Sequence, residues 1–189
     1  MPPGAGSCMH VDIANALATT ASPGVSRGAL ERLDDQVAVA HDRIQRGVDA
    51  REHGYAALAL PEDVDLDEIR ETTAAFADTE TLLTVGIGGS ALGAATITDA
   101  LAAESPVDAH YLDNVDPEWL TGLLEGLDLA STTVNVVSRS GTTAETLANF
   151  LVVRDAFEDA GVDWTERTFV TTGDSGPLRR LADRHDLSS

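Results

Sequence analysis

From residue 79 onward, short apolar or β-branched runs alternate with longer stretches of helical period. Leu82, Leu83, Val85 and Ile87 form a compact apolar run, the pattern of a strand covered on both faces of a parallel sheet. It breaks into Gly86-Ile87-Gly88-Gly89-Ser90, and a helix follows through Ala103. Further strands are predicted over Val107–Asp113, Thr133–Ser138 and Arg167–Thr172. Helices are predicted over Pro117–Leu127, Ala144–Asp159 and Gly176–Arg184. Leu147, Phe150, Leu151 and Phe157 mark the buried face of the second, and Asp174 or Ser175 is the expected cap of the third. Repeated β-α units of this spacing predict an α/β fold with a doubly wound parallel sheet.

The N-terminal part reads differently. Leu30, Leu33, Val37, Ala40, Ile44 and Val48 recur at helical spacing with charge on the other face, predicting one amphipathic helix from Ser26 to about Gly54. Tyr55–Pro61 reads as an apolar linker and Asp63–Ala77 as a second helix. Met1–Ser7 is rich in Pro and Gly and is expected to be flexible, with helical character first appearing over His10–Leu17. The expected organisation is a flexible segment 1–25, N-terminal helices 26–78 that pack on the sheet, and a sheet domain 79–189.

The two strand-to-helix corners carry the candidate chemistry. Glycines at 86, 88 and 89 let backbone amides approach a ligand oxygen, and Ser90 adds a hydroxyl where a helix begins and its dipole favours an anion. An ordinary tight turn with a serine cap would look the same. The second corner, Ser138-Arg139-Ser140-Gly141-Thr142-Thr143, gathers four hydroxyls and one guanidinium around a glycine. One hydroxyl would suffice to cap the helix; the surplus suits an acceptor-rich ligand such as phosphate. If both corners lie at the carboxyl edge of one sheet, they can grip one phosphate together.

Gly86-x-Gly88-x-x-Ala91 also satisfies the dinucleotide fingerprint, with Asp113 ending the next strand where an acidic ribose ligand would sit. That alternative, a nicotinamide-dinucleotide domain, leaves the hydroxyl cluster unexplained. Glu145 is the carboxylate nearest that cluster; a first-turn acid favoured by the helix dipole is an equal reading of it.

Composition narrows the partners. The chain of 189 residues has 32 acidic and 12 basic side chains, a formal net charge of -20, and every basic residue is Arg. Such a surface repels nucleic acid and anionic lipid, so neither is an expected partner. A lysine-free acidic composition resembles that of proteins from halophilic organisms, where salt screens the self-repulsion; an acidic protein from a GC-rich genome is the alternative. No run is long enough to span a membrane, and with no basic region ahead of an apolar one at the start, no secretory signal is expected. Cys8, the one cysteine, allows neither an intrachain disulfide nor a cysteine metal cluster, so a cytoplasmic protein is expected. His10, His41, His53, His110 and His185 are scattered without ligand spacing, and no metal is expected. Trp119 and Trp164 read as packing residues.

Taken together, Gly86-Ile87-Gly88-Gly89-Ser90-x-Leu92-Gly93 and Ser138-Arg139-Ser140-Gly141-Thr142-Thr143-x-Glu145-Thr146 resemble the glucose-6-phosphate isomerase family in its prokaryotic form. Either motif alone would indicate only the wider sugar-isomerase (SIS) group. The resemblance runs from about Thr81 to the C-terminus. It implies a five-stranded, flavodoxin-like SIS domain in which Ser138, Arg139, Ser140, Thr142 and Thr143 hold a sugar phosphate while Gly89 and Ser90 line the pocket. It implies no cofactor, a homodimer, and a supporting role for Glu145 toward the histidine of ring opening. Arg139 stands where the family often has Lys, which keeps the charge and changes the geometry. Nothing in this sequence matches the family's catalytic base, its enediolate-stabilising arginine, or its ring-opening histidine and lysine. The expectation is therefore the N-terminal SIS portion of an isomerase that interconverts glucose 6-phosphate and fructose 6-phosphate in glycolysis, inactive alone. A non-catalytic SIS module that binds a sugar phosphate is the alternative.

Overall fold

A computed structural model describes residues 11–52 and 54–189. The expectations for Met1–Ser7, Cys8, His10 and His53 lie outside the described residues. Contacts divide the chain into two compact units, the first ending at Asp65 and the second running from Leu66 to Ser189.

In the first unit, the segment expected to be flexible up to residue 25 contains a short 3-10 helix at Ala14–Ala16, shorter than the helical stretch predicted there, and a parallel bridge between Leu17 and Val25. The single helix predicted from Ser26 is two: α1 (Arg27–Glu31), capped by Ser26, and α2 (Asp34–Asp49). Adjacent acids explain the break, because Asp34 and Asp35 are stabilised in the first turn of a new helix beside its exposed N–H groups. Beyond α2 the chain turns back: a Cβ on Gly47 would stand 2.3 Å from Tyr55 Cδ2, so the helix admits no side chain there. The predicted linker carries a 3-10 turn, Ala56–Leu58, and α3 (Leu60–Asp63). Arg51 donates to Asp63, with Nη2 2.6 Å from Oδ1, and this hydrogen bond holds the Asp63 carboxyl below its usual range.

The second unit opens with α4 (Leu66–Ala74), ending before the predicted Ala77. It continues as β1 (Thr81–Val85), α5 (Leu92–Leu101), β2 (Asp108–Leu112), α6 (Pro117–Gly126), β3 (Thr132–Ser138), α7 (Ala144–Asp159), β4 (Thr168–Thr172) and α8 (Pro177–His185). The sheet is parallel with strand order β2-β1-β3-β4. Four strands form it among the described residues, against the five implied by the resemblance; beside β4 a single parallel bridge joins Phe169 to Ser188.

Apolar side chains from both strands and helices build the core. Leu83, Val85, Val134, Val136 and Val170 of the sheet meet Leu120, Phe150, Val153, Phe157 and Leu178 of the helices. On α7, Phe150 and Phe157 are buried as predicted, but Leu151 is 46% exposed and the buried stripe runs through Val153 instead. Trp164 is buried edge-on to Phe150 and also packs against His185, whereas Trp119 is 44% exposed on α6. Neither Asp174 nor Ser175 caps α8; Gly176 holds the cap position at φ 117°, without a side-chain cap hydrogen bond.

One ion pair ties the approach to β1 to the start of β4. Arg167 donates through Nη1 and Nη2 to Asp78 Oδ1 and Oδ2, at 3.0 and 2.9 Å. These bonds hold the Asp78 carboxyl below its ordinary range, outweighing desolvation. A carboxyl depressed in the folded state adds stability that is present above the unfolded pKa, about 4, and is lost as pH falls through the folded value. Asp78→Asn is therefore expected to lower the unfolding midpoint by about 1–2 °C at pH 7, a difference that closes on acidification below about pH 4. Scanning calorimetry of both proteins across that range checks it; a pH-independent difference would assign the effect to something other than the carboxylate charge.

Candidate functional site

Strand order decides where a ligand can enter. In the order β2-β1-β3-β4, chain direction across the sheet reverses between β1 and β3, so the two adjacent strands diverge into helices and leave a crevice at their carboxyl ends. The glycine corner leaves β1 and the hydroxyl corner leaves β3, so the two motifs flank that crevice. Val85 pairs with Val136, which sets Gly86 beside Val137. A Cβ on Gly86 would stand 3.1 Å from both Ser90 Cβ and the Val137 carbonyl oxygen. A side chain here would crowd the first corner against the end of β3, so glycine suits this close approach.

The glycine corner closes as a 3-10 turn over Gly88–Ser90, with Gly88 at φ 59°, a conformation suited to glycine. Gly89 is exposed with open space on its Cβ side, and Ser90 is half-buried. Ser90 does not cap α5, whose cap position is Ala91 without a side-chain hydrogen bond.

The hydroxyl corner is bonded to itself. Ser138 Oγ and Thr143 Oγ1 lie 3.1 Å apart, and Thr142 Oγ1 donates to Ser140 Oγ at 2.9 Å. Ser140 Oγ also accepts the Thr142 amide at 3.2 Å. Thr143 occupies the cap position of α7, yet its side chain makes no cap hydrogen bond. The first amides of α7 consequently lack the side-chain acceptor that normally satisfies a helix start. Ser138 is buried, Thr143 half-buried, and Arg139, Ser140 and Thr142 are exposed. Arg139 takes part in no ion pair among the described residues. Glu145, exposed in the first turn of α7, lies on the same rim.

Chemically, the two corners are rich in hydrogen-bond donors. Hydroxyls, free helix-start amides and a guanidinium gather on adjoining strand ends, an arrangement that favours a tetrahedral oxyanion. Among the described residues, His41, His110, His185 and Asp113 bond to none of its side chains. His110 approaches Asp108 at 3.1 Å on β2, His185 packs on Trp164, and His41 and Asp113 are exposed. Among the described residues no group of three or more His, Cys, Asp or Glu side chains is placed to hold a metal ion. No described helix is long and apolar enough to cross a membrane.

Two contributors escaped the sequence reading. Asn149, buried on α7, donates to the Asn114 carbonyl at 2.9 Å and ties the turn after β2 to the helix behind the hydroxyl corner. The end of β4 and the turn after it, Thr172-Gly173-Asp174-Ser175-Gly176, pack directly under that corner. Their glycine-and-hydroxyl composition repeats that of the other two corners, and that repetition was the available signal.

The phosphoglucose isomerase family model matches residues 60–173. A probable glucose-6-phosphate isomerase of Haloarcula marismortui is 64% identical, over 95% of this chain and 41% of its own length. A crystal structure of a hypothetical protein from Thermus thermophilus superposes with TM-score 0.73 at 40% identity, covering 85% of this chain and 39% of that one. A glucose-6-phosphate isomerase from Chlamydia trachomatis superposes with TM-score 0.56 at 33% identity, covering 60% of this chain and 22% of that one. The chain thus spans about two fifths of the length of its haloarchaeal relatives. With the family model matched over more than half of its residues and both motif corners inside the match, the chain belongs to the phosphoglucose isomerase family.

Proposed function

We propose that this chain is the sugar-phosphate-binding part of a glucose-6-phosphate isomerase, an aldose-ketose isomerase acting between glucose 6-phosphate and fructose 6-phosphate. The observation that carries the proposal is the hydroxyl corner at the β1/β3 crevice, whose side chains bond to one another and leave the start of α7 uncapped. Hydroxyls used for capping would be spent on the helix; these stand ready for an oxyanion. In this reading Ser138, Arg139, Ser140, Thr142 and Thr143 hold the phosphate from one side, and Gly89 and Ser90 line the other. Residues 79–189 form the binding domain, 26–78 the N-terminal helices, and 1–25 the segment ahead of them. The protein works in the cytoplasm, with a homodimer as the full enzyme.

Aldose-ketose interconversion removes a proton beside a carbonyl and returns it one carbon away, so it needs a carboxylate base and a positive group for the enediolate. Anchoring the remote phosphate supplies the positioning energy for that step. The residues of this chain provide the anchor, and Glu145 stands on its rim as a supporting group. Net hydride transfer to a nicotinamide is not required, since the sugar is both oxidised and reduced internally.

Calorimetric titration of the chain in concentrated KCl tests the proposal. Saturable binding of fructose 6-phosphate, with no binding of NADH, is the expected result. NADH binding without sugar-phosphate binding would overturn it in favour of a dinucleotide domain.

A further inference from the structure

The hydroxyl corner is oriented from behind. Three of its carbonyl oxygens are tied to the end of β4, the turn that follows it and the start of α8. Ser138 O accepts Thr172 Oγ1 at 2.7 Å as well as the Gly141 amide at 3.0 Å. Arg139 O accepts the Gly173 amide at 3.2 Å, and Gly141 O accepts the Leu178 amide at 3.2 Å. A fourth carbonyl, Ser140 O, is covered by Gly176, where a Cβ would stand 2.7 Å from it. An anion site needs its N–H and O–H groups forward and its carbonyl dipoles turned away, because a carbonyl oxygen facing a phosphate repels it. The β4–α8 turn holds the carbonyls back. Most of these ties are made by backbone, which tolerates substitution; Thr172 makes the one through a side chain.

We infer that Thr172 is a positioning residue for the phosphate-binding corner: its hydroxyl fixes the Ser138 carbonyl away from the ligand, so that the hydroxyls of Ser138 through Thr143 face it. Thr172 touches no ligand in this role. Gly176 serves the same end by allowing the turn to seat against Ser140 O, at a φ of 117° that other residues rarely adopt. The inference rests on the sugar-phosphate reading of the site.

The test is calorimetric titration with fructose 6-phosphate of the 189-residue chain and of two variants in concentrated KCl, alongside their unfolding midpoints. Thr172→Val is expected to weaken binding about fivefold to tenfold, the worth of one hydrogen bond, while the midpoint moves little. Thr172→Ser keeps the hydroxyl and is expected to restore affinity to within about twofold of the parent. If Thr172→Val binds as the parent does, or if Thr172→Ser is as weak as Thr172→Val, the inference is overturned and the functional reading stands. If the parent chain itself binds no fructose 6-phosphate, the functional reading falls and takes the inference with it. Should Thr172→Val not fold, Thr172→Ala is read by the same criteria.

Discussion

Replacing Ser140 and Thr142 together with alanine is expected to weaken fructose 6-phosphate binding by at least about a hundredfold, because two hydrogen bonds to a charged group are worth about 1.5–3 kcal/mol each. The pair is chosen because the two hydroxyls bond to each other and both residues are exposed. Removing both leaves no buried polar atom without a partner. The unfolding midpoint should therefore stay within about 1–2 °C of the parent. Replacing Thr143 would be less clean, since it strands the buried Ser138 hydroxyl. Isothermal titration of the double variant checks the prediction, and unaltered affinity would remove the hydroxyl corner from the site.

The second large effect concerns salt. With 32 acidic side chains against 12 arginines, most carboxylates find no cation to offset them. Arg51, Arg70, Arg154 and Arg167 are paired with acids, yet these pairs lie at the surface, where their contribution is small. At 1 M salt charges are screened beyond about 3 Å, and at 0.1 M only beyond about 10 Å. Dilution from above 1 M to about 0.1 M KCl is thus expected to unfold the chain, seen as loss of helical ellipticity. An equal osmolality of sucrose, which favours burial without screening, should rescue it much less than KCl does. Equal thermal midpoints at both salt concentrations would contradict the charge-repulsion account.

The parts of the fold visible in the sequence are those where one residue type has one physical use. The β-branched run Thr132 to Val137 and the breaks at Gly86 and Gly141 define strand ends because such runs need burial on both faces and glycine admits close turns. Helix α7 is legible to the residue for the same reason, with hydroxyls before it and apolar residues at helical period along it. What was not legible depended on partners distant in sequence. Nothing local says that β1 lies beside β3, so the meeting of Gly86 with Val137 emerges only from strand order. Asp174 and Ser175 look like helix caps because capping and loop packing use the same residue types; at α8 the backbone turns at Gly176 and leaves both unused as caps. The acids at Asp34 and Asp35 sit within an unbroken apolar period, and only the folded chain shows that they start a new helix.

The same ambiguity applied to the candidate site. From sequence, the hydroxyls at 138, 140, 142 and 143 could cap a helix or hold an anion; their surplus over the one hydroxyl a cap needs pointed to the anion, but sequence could not show which of them the helix uses. Their mutual hydrogen bonds and the uncapped α7 favour the second use. Arg139 fits the same logic, an exposed cation outside every ion pair among the described residues, in a chain with a net charge of -20.

The central claim is that the corners after β1 and β3 close on one phosphorylated sugar. Amide chemical shifts of the isotope-labelled chain, followed while fructose 6-phosphate is added in concentrated KCl, address it most directly. The prediction is that the amides of Gly89, Ser90 and the 138–145 segment shift together along one saturation curve. Shifts confined to one corner, or centred away from the β1/β3 crevice, would contradict it.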